Sequence, residues 1–245
     1  MIGFRARLGF LLPPGNPTIE AEMMAMAPPR ELAGVSLHFH RMVARGVTGS
    51  LDGQEERNRS MVAHLDESVE MLALVNPDII VIAHTATSYD LGRDEESALL
   101  ARLAKSSGTR VTTAFASVAA ALERLGVKRV ALGAPYSAET TAKGKAHLEE
   151  HGFEVVNHDN LKGVTNIYDE TAERAYRLAR SVDRPEAQAV FLSGTGMPTV
   201  AMLEMLEQDL RKPVISSNSA MLWLALRACG VLQPISGYGR LLTLD

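Results

Sequence analysis

Ile79-Ile80-Val81-Ile82-Ala83-His84-Thr85-Ala86-Thr87-Ser88 and Ala189-Val190-Phe191-Leu192-Ser193-Gly194-Thr195-Gly196 are the two stretches that decide the fold. Each begins as a short, unbroken apolar run, the pattern of a strand covered on both faces. Each ends in small hydroxyl residues with alanine or glycine. Such ends leave backbone N–H groups and hydroxyls free for an anionic oxygen.

On either side of these stretches, short apolar runs alternate with helix-length amphipathic segments. Strands are expected at Leu8–Leu12, Val35–His40, Ile79–Ala83, Arg110–Thr113, Arg129–Gly133, Glu154–Asn157, Ala189–Ser193 and Val214–Ser216. Helices are expected at Asn58–Leu74, Ser117–Leu125, Glu139–His151, Asp169–Arg180 and Val200–Gln208. Ser137 and Asp169 read as helix starts, and Pro17 sits where a first turn tolerates proline. The alternation implies an α/β fold with parallel sheets flanked by helices. The strands split into two sets of four, with a break near residues 117–126. Asn76-Pro77-Asp78 before one strand end and Glu186-Ala187-Gln188 before the other form a weak internal echo, though any two βα units share some likeness. The expected fold is therefore two similar Rossmann-like lobes related by a pseudo-twofold axis. The first would comprise residues 1–116 plus 217–245, with the C-terminal helix returning to it; the second would comprise residues 117–216. Their strand ends would face one cleft, because ligands of open α/β sheets sit beyond the carboxyl ends of the strands.

Composition narrows the function. The chain has 245 residues, 46% of them hydrophobic, which is enough for one large core or two compact ones. A net charge of −4, spread without basic runs, and 5% aromatic residues argue against a nucleic-acid footprint. No apolar stretch reaches the roughly 18 residues of a membrane span. The stretch Met1-Ile2-Gly3-Phe4-Arg5-Ala6-Arg7 leads into a strand and lacks a signal-peptide pattern. A single cysteine, Cys229, rules out an intrachain disulfide and a cysteine-based metal cluster. A soluble cytoplasmic protein is the expectation.

Several residues can carry chemistry. Pro13-Pro14-Gly15-Asn16-Pro17 makes a rigid strand-to-helix turn at which Asn16 is either an amide donor to a carboxylate or an ordinary turn residue. Thr85, Thr87 and Ser88 suit an anion site, and they suit a helix N-cap equally well. Tyr136, after Gly133-Ala134-Pro135, can donate to an oxyanion or simply pack. Ser193, Gly194, Thr195 and Gly196 permit close backbone approach to a ligand. His84 is the one imidazole at a strand end, placed for acid–base work or as a structural core histidine. His38 and His40 share a strand face and, with Arg41, form either a carboxylate clamp or a solvated strand end. His147, His151 and His158 are expected on the surface, and no metal spacing stands out. Gly194-Thr195-Gly196 lacks the third glycine of a nucleotide fingerprint.

The loop Pro13-Pro14-Gly15-Asn16 with Thr18 and Glu20, the Thr87-Ser88 pair, Pro135-Tyr136, Ser193-Gly194-Thr195-Gly196 and the final segments Lys212–Asn218 and Trp223–Arg227 together resemble the aspartate/glutamate racemase superfamily, on its maleate isomerase and arylmalonate decarboxylase branch. The likeness spans essentially the whole chain. It implies an enzyme that works without cofactor or metal on a small carboxylate, with no nucleic-acid or membrane partner, and it leaves a homo-oligomer open. With it, Thr87, Ser88, Tyr136, Gly194 and Thr195 are expected in catalysis together with His84, the nearest replacement acid/base by its place at a strand end, and Pro14, Asn16, Thr85, Ala86, Ser193 and Gly196 in substrate binding. Most members carry a catalytic thiol at one or both strand ends, where this chain has Ala86 and Gly194. Racemisation by two opposed thiols and isomerisation through a cysteine adduct are thereby removed. The expected activity is decarboxylation of a malonate-type acid through an enediolate held in an oxyanion hole. The alternatives are a thiol-free isomerase or tautomerase, a hydrolase, and an inactive carboxylate-binding protein.

Overall fold

The computed structural model describes residues 2–28, 30–46 and 48–245. Met1 of the N-terminal stretch lies outside the described residues. The strands are β1 (Ala6–Leu12), β2 (Val35–Arg41), β3 (Ile79–Ile82), β4 (Arg110–Thr113), β5 (Arg129–Ala134), β6 (Glu154–Asn160), β7 (Ala189–Leu192) and β8 (Val214–Ser216). They form two four-stranded sheets, ordered β2-β1-β3-β4 and β6-β5-β7-β8. Every strand pairing within these two sheets is parallel. The identical order bears out the two-lobe architecture.

The helices are α1 (Thr18–Met26), α2 (Gln54–Ala63), α3 (Leu65–Ala73), α4 (Thr85–Ser107), α5 (Ala114–Arg124), α6 (Ala138–Glu150), α7 (Ala172–Val182), α8 (Leu203–Leu210) and α9 (Ser217–Ala228). Three expectations need correction. Asn58–Leu74 is two helices, because His64 leaves helical geometry (φ −115°, ψ 14°) and its Nδ1 turns back to the Ser60 carbonyl. Asp169 does not start α7. It closes a single 3-10 turn, and Thr171 is the cap, its hydroxyl accepting from the Arg174 N–H. The segment from Val200 opens as a 3-10 turn, and α8 begins only at Leu203. Ser137 does cap α6, accepting from the Thr140 N–H at 3.1 Å.

Side chains alternate across the first sheet as a period of two requires. Leu8, Phe10 and Leu12 of β1 and Ile79 and Val81 of β3 enter the large core shared by both lobes. Leu11, Ile80 and Ile82 point the other way, into a smaller core under α2, α3 and α4. The last helix, α9, packs on α1, β1, β3 and α5, so the C-terminal part of the chain closes over the first sheet. Across the lobes α4 packs on α6. The carboxyl ends of β1, β3, β5 and β7 therefore meet in the space between the sheets.

Candidate functional site

Four loops build a closed cleft. At the end of β1, Asn16 Oδ1 accepts from the Thr18 and Ile19 N–H groups at 2.9 and 3.2 Å and so caps α1. This fixes the amide with its Nδ2 toward the Thr195 hydroxyl (3.4 Å) of the other lobe. The Thr195 hydroxyl donates to the Ala83 carbonyl at 3.1 Å, and the Thr18 hydroxyl donates to the Gly196 carbonyl at 2.7 Å. Two strand ends from different sheets are thus tied directly to each other.

An unforeseen carboxylate supports this tie. Glu22, buried on α1, accepts from the Thr199 and Val200 N–H groups at 2.5 and 2.9 Å and from Asn218 Nδ2 at 2.6 Å. The same Asn218 amide donates to the Thr195 carbonyl at 3.2 Å. Burial pushes the Glu22 carboxyl above its ordinary range, against the hydrogen bonds that favour its charge. Glu20, the acid singled out by resemblance, instead pairs with Arg41 at the surface. Arg41 also donates to the Asn16 carbonyl at 2.5 Å, so it braces the loop rather than forming a clamp with His38. His38 is partnered by Ser36 at 2.9 Å.

Two small chambers meet at His84. The inner one is lined by Pro13, Asn16, His84, Tyr136, Ile167, Tyr168, Thr195 and Gly196 and holds about 20 Å³. The outer one holds about 40 Å³; it shares Pro13, His84, Ile167 and Tyr168 and adds Pro14, Thr48, Arg57 and Asn58. The inner volume admits a water but not a dicarboxylate. The cover is a contact between loops of opposite lobes. Ser50 and Asn166 form an antiparallel bridge, and the Ile167 N–H donates to the Gly49 carbonyl at 2.8 Å. Gly49 is needed there: its φ is +78°, and a Cβ would fall 1.9 Å from Asn166 Oδ1.

The residues expected from sequence divide into two sets. Asn16, His84, Tyr136, Thr195 and Gly196 line the inner chamber, and Pro14 lines the outer one. Thr85, Ala86, Thr87, Ser88, Ser193 and Gly194 stand behind that lining. The Thr85 hydroxyl donates to Ser217, Thr87 is paired with His84 Nδ1 at 2.8 Å, and Ser193 is paired with the Tyr89 hydroxyl at 2.8 Å. The Ser88 hydroxyl donates to buried Glu96 at 2.7 Å and so points away from the chamber. Ile167, Tyr168, Arg57 and Asn58 were not anticipated. Arg57 and Asn58 come from the first turns of α2 and Ile167 and Tyr168 from a 3-10 turn of the other lobe, which only the tertiary fold brings over the cleft.

Burial sets the protonation states. The His84 imidazole is lowered to about 4, chiefly by burial, with Asp90 opposing and Arg57 adding to it, so His84 is neutral at pH 7. Burial raises the Tyr136 hydroxyl far above its usual range, and it pushes Tyr168 up to about 12. Both phenols stay protonated and can donate hydrogen bonds. One expectation was wrong in place: His147 is not on the surface but buried against Glu96, Phe115 and His151, while His151 is half-buried.

Among the described residues no helix is long and apolar enough to cross a membrane. Comparison with known proteins agrees with the geometry. The chain is 30% identical over 247 residues to a maleate isomerase of Nocardia farcinica (strain IFM 10152), covering 98% of this chain and 96% of that one. It is 25% identical to an arylmalonate decarboxylase of Bordetella bronchiseptica, covering 96% and 95%. Among solved structures, a Nocardia farcinica maleate cis-trans isomerase mutant with a covalently bound succinylcysteine intermediate superposes with a TM-score of 0.88, at 26% identity and 98% and 99% coverage. The maleate isomerase Iso from Pseudomonas putida S16 gives 0.87 at 25% identity, covering 97% and 98%. The family model described as arylmalonate decarboxylase matches residues 8–242, and with these relatives it shows that the chain belongs to that enzyme family.

Proposed function

We propose that this chain is a cofactor-independent lyase that removes CO₂ from a small malonate-type acid through an enediolate. The observation that carries the reading is the inner chamber. Neutral donors from Asn16, Tyr136 and the Thr195–Gly196 loop converge there beside apolar Pro13 and Ile167, while the positions behind it hold Ala86 and Gly194 instead of thiols. The acid enters once the loop contact between Ser50 and Asn166 opens and widens the chamber; one carboxylate is then held by the donors and the other lies against apolar surface, where its charge is poorly solvated. Breaking its C–C bond releases CO₂ and leaves the electron pair as an enediolate. Groups fixed before the reaction stabilise that charge without reorganising. A water held at His84 then delivers a proton to the carbanion carbon. The resulting hydroxide is neutralised by solvent, so one proton is taken up per turnover. His84 serves as a neutral partner that orients water, because its imidazolium is disfavoured at pH 7. Thr87 sets the ring's orientation through Nδ1. The same reading divides the chain at the cleft, residues 1–116 with 217–245 on one side and 117–216 on the other, in a cytoplasmic enzyme.

A second reading rests on the neutral imidazole itself. If Nδ1 carries its proton toward Thr87, the Nε2 lone pair serves as a base for abstracting an α-proton, as in a thiol-free isomerase. Proton NMR in D₂O with arylmalonates, alkylmalonates, maleate, aspartate and hydroxy acids separates the two. Loss of CO₂ with one deuterium incorporated supports the lyase, and exchange or isomerisation without carbon loss supports the isomerase. Under the lyase reading Tyr136→Phe lowers kcat by about 10²–10³, the cost of removing one oxyanion donor. Undiminished turnover in that variant refutes the assigned role of Tyr136.

A further inference from the structure

Behind Tyr89, where α4 of one lobe meets α6 of the other, lies a group of side chains that the proposed reaction does not use. His147 and His151 are four residues apart at the end of α6 and share a face. Glu96 reaches them from α4. Their potential ligand atoms all lie within 4.8 Å of one another. Glu96 and His147 are 4% and 2% exposed, and the half-buried His151 connects the group to the surface. Phe115 forms an apolar wall, its ring centroid 4.1 Å from that of His147 and 4.9 Å from that of His151.

The surrounding hydrogen bonds orient the three side chains. His151 Nδ1 lies 2.9 Å from the His147 carbonyl, which can only accept, so this nitrogen carries the proton and Nε2 has the lone pair. His147 faces a carboxylate at each nitrogen, Glu150 at Nδ1 and Glu96 at Nε2, both at 3.3 Å, so an ion taken up at Nε2 leaves the ring proton on Nδ1, where Glu150 accepts it. On Glu96, Oε1 accepts from the Ser88 and Thr113 hydroxyls, which leaves Oε2 to face His147. A histidine whose second nitrogen donates to a carboxylate or a carbonyl, beside a carboxylate anchored by hydroxyls, is the outer arrangement that orients ligands around a metal. The separation of His147 Nε2 and Glu96 Oε2 is 3.3 Å. Two ligands bonded at about 2.0–2.1 Å to a tetrahedral centre stand about 3.3–3.4 Å apart. The exposed part of His151 gives its ring room to rotate in and complete the set.

We propose that Glu96, His147 and His151 bind one divalent transition-metal ion of the zinc type, joining α4 to α6 across the two lobes. Two imidazoles and one carboxylate suit zinc, cobalt or nickel better than calcium or magnesium. The ion would act as a fastener between lobes, separated from the chamber by Tyr89 and Ser88.

The test uses the full-length protein, stripped with a chelator and titrated with Zn²⁺ or Co²⁺. Calorimetry is expected to show one equivalent bound, and Co²⁺ to give the strong visible absorption of a low-coordinate site. Zn²⁺ at a hundredfold over its Kd should raise Tm by roughly 5–10 °C. His151→Ala, at a half-buried position, should abolish the stoichiometric binding. Glu150→Gln, at an exposed position, should weaken it about 10- to 100-fold. His158→Ala, on an exposed part of β6, should leave it unchanged. Absence of saturable uptake by the native protein overturns the proposal. So does uptake that survives His151→Ala, or uptake that is lost equally in His158→Ala.

Discussion

Adding one carbon at Gly194 tests whether the missing thiol is a property of the backbone or only of a side chain. The resemblance places a catalytic cysteine at this position. In the structure Gly194 has φ +98°, and a Cβ built on it lies 2.8 and 2.9 Å from Cγ and Cδ of Pro135 and 3.4 Å from the Tyr136 hydroxyl. Two costs follow for Gly194→Ala. A side chain in this backbone region costs about 1–3 kcal/mol, and overpacking against a rigid proline ring costs about 1–3 kcal/mol more. Their sum, about 2–6 kcal/mol, corresponds to a Tm lower by roughly 5–20 °C in a chain of this size. Gly92→Ala separates the two terms, because Gly92 also has positive φ (+72°) but nothing within 4 Å of its added Cβ. Only the backbone cost applies there, a loss of about 1–3 kcal/mol. Pro135→Ala removes the two obstructing atoms, so the double variant Gly194→Ala/Pro135→Ala should recover about 1–3 kcal/mol relative to the sum of the single changes. Thermal unfolding followed by circular dichroism reads all four proteins. If Gly194→Ala costs no more than Gly92→Ala, or if the double variant is strictly additive, Pro135 does not hold position 194 to glycine and the steric argument fails.

Two further outcomes follow from the same site. His84 titrates near 4 in the folded chain, below its ordinary 6.5, so the folded state binds fewer protons than the unfolded state between those values. Stability is therefore full above about pH 6.5 and declines toward pH 4, by roughly 3 kcal/mol at most from this group; His84→Asn should flatten that part of a stability–pH profile, and an unchanged slope would assign it elsewhere. Gly49→Ala places a methyl against Asn166 and Tyr168, so it should open the bridge between loops, speed limited proteolysis near residues 44–54 and lower turnover; unchanged cleavage and turnover would show that the cover plays no part in closing the cleft.

Much of the fold was legible because local pattern and tertiary role agree. The apolar runs at Ile79–Ile82 and Ala189–Leu192 are buried on both faces, and parallel pairing permits little else. The division of Asn58–Leu74 was not legible, since His64 is neither glycine nor proline and breaks the helix through its own ring. Asn16, Tyr136 and Thr195 could be found because each sits beside a strand end. Tyr168 and Arg57 could not, because a 3-10 turn of one lobe and helix α2 of the other meet over the cleft only after both lobes are assembled. The direction of the Ser88 hydroxyl depends on Glu96, on the far side of the kink at Gly92, and no local pattern reveals that partner. Thr141, Gly144 and Leu148 mark the buried face of α6. Continuing that stripe to His147 and His151 was the available signal that those histidines are not surface residues.

The packing of α9 on α1, β1 and β3 has a consequence for the order of events during synthesis. A chain leaving the ribosome has made all four strands of its first sheet before residue 217 exists, yet one face of that sheet lacks its cover until α9 arrives. The first half is therefore exposed to solvent, and to other chains, throughout synthesis of the second. A fragment ending at residue 216 would keep both sheets and leave apolar surface bare beside α1. The two halves look like repeats, but the first cannot finish folding until the second has been made.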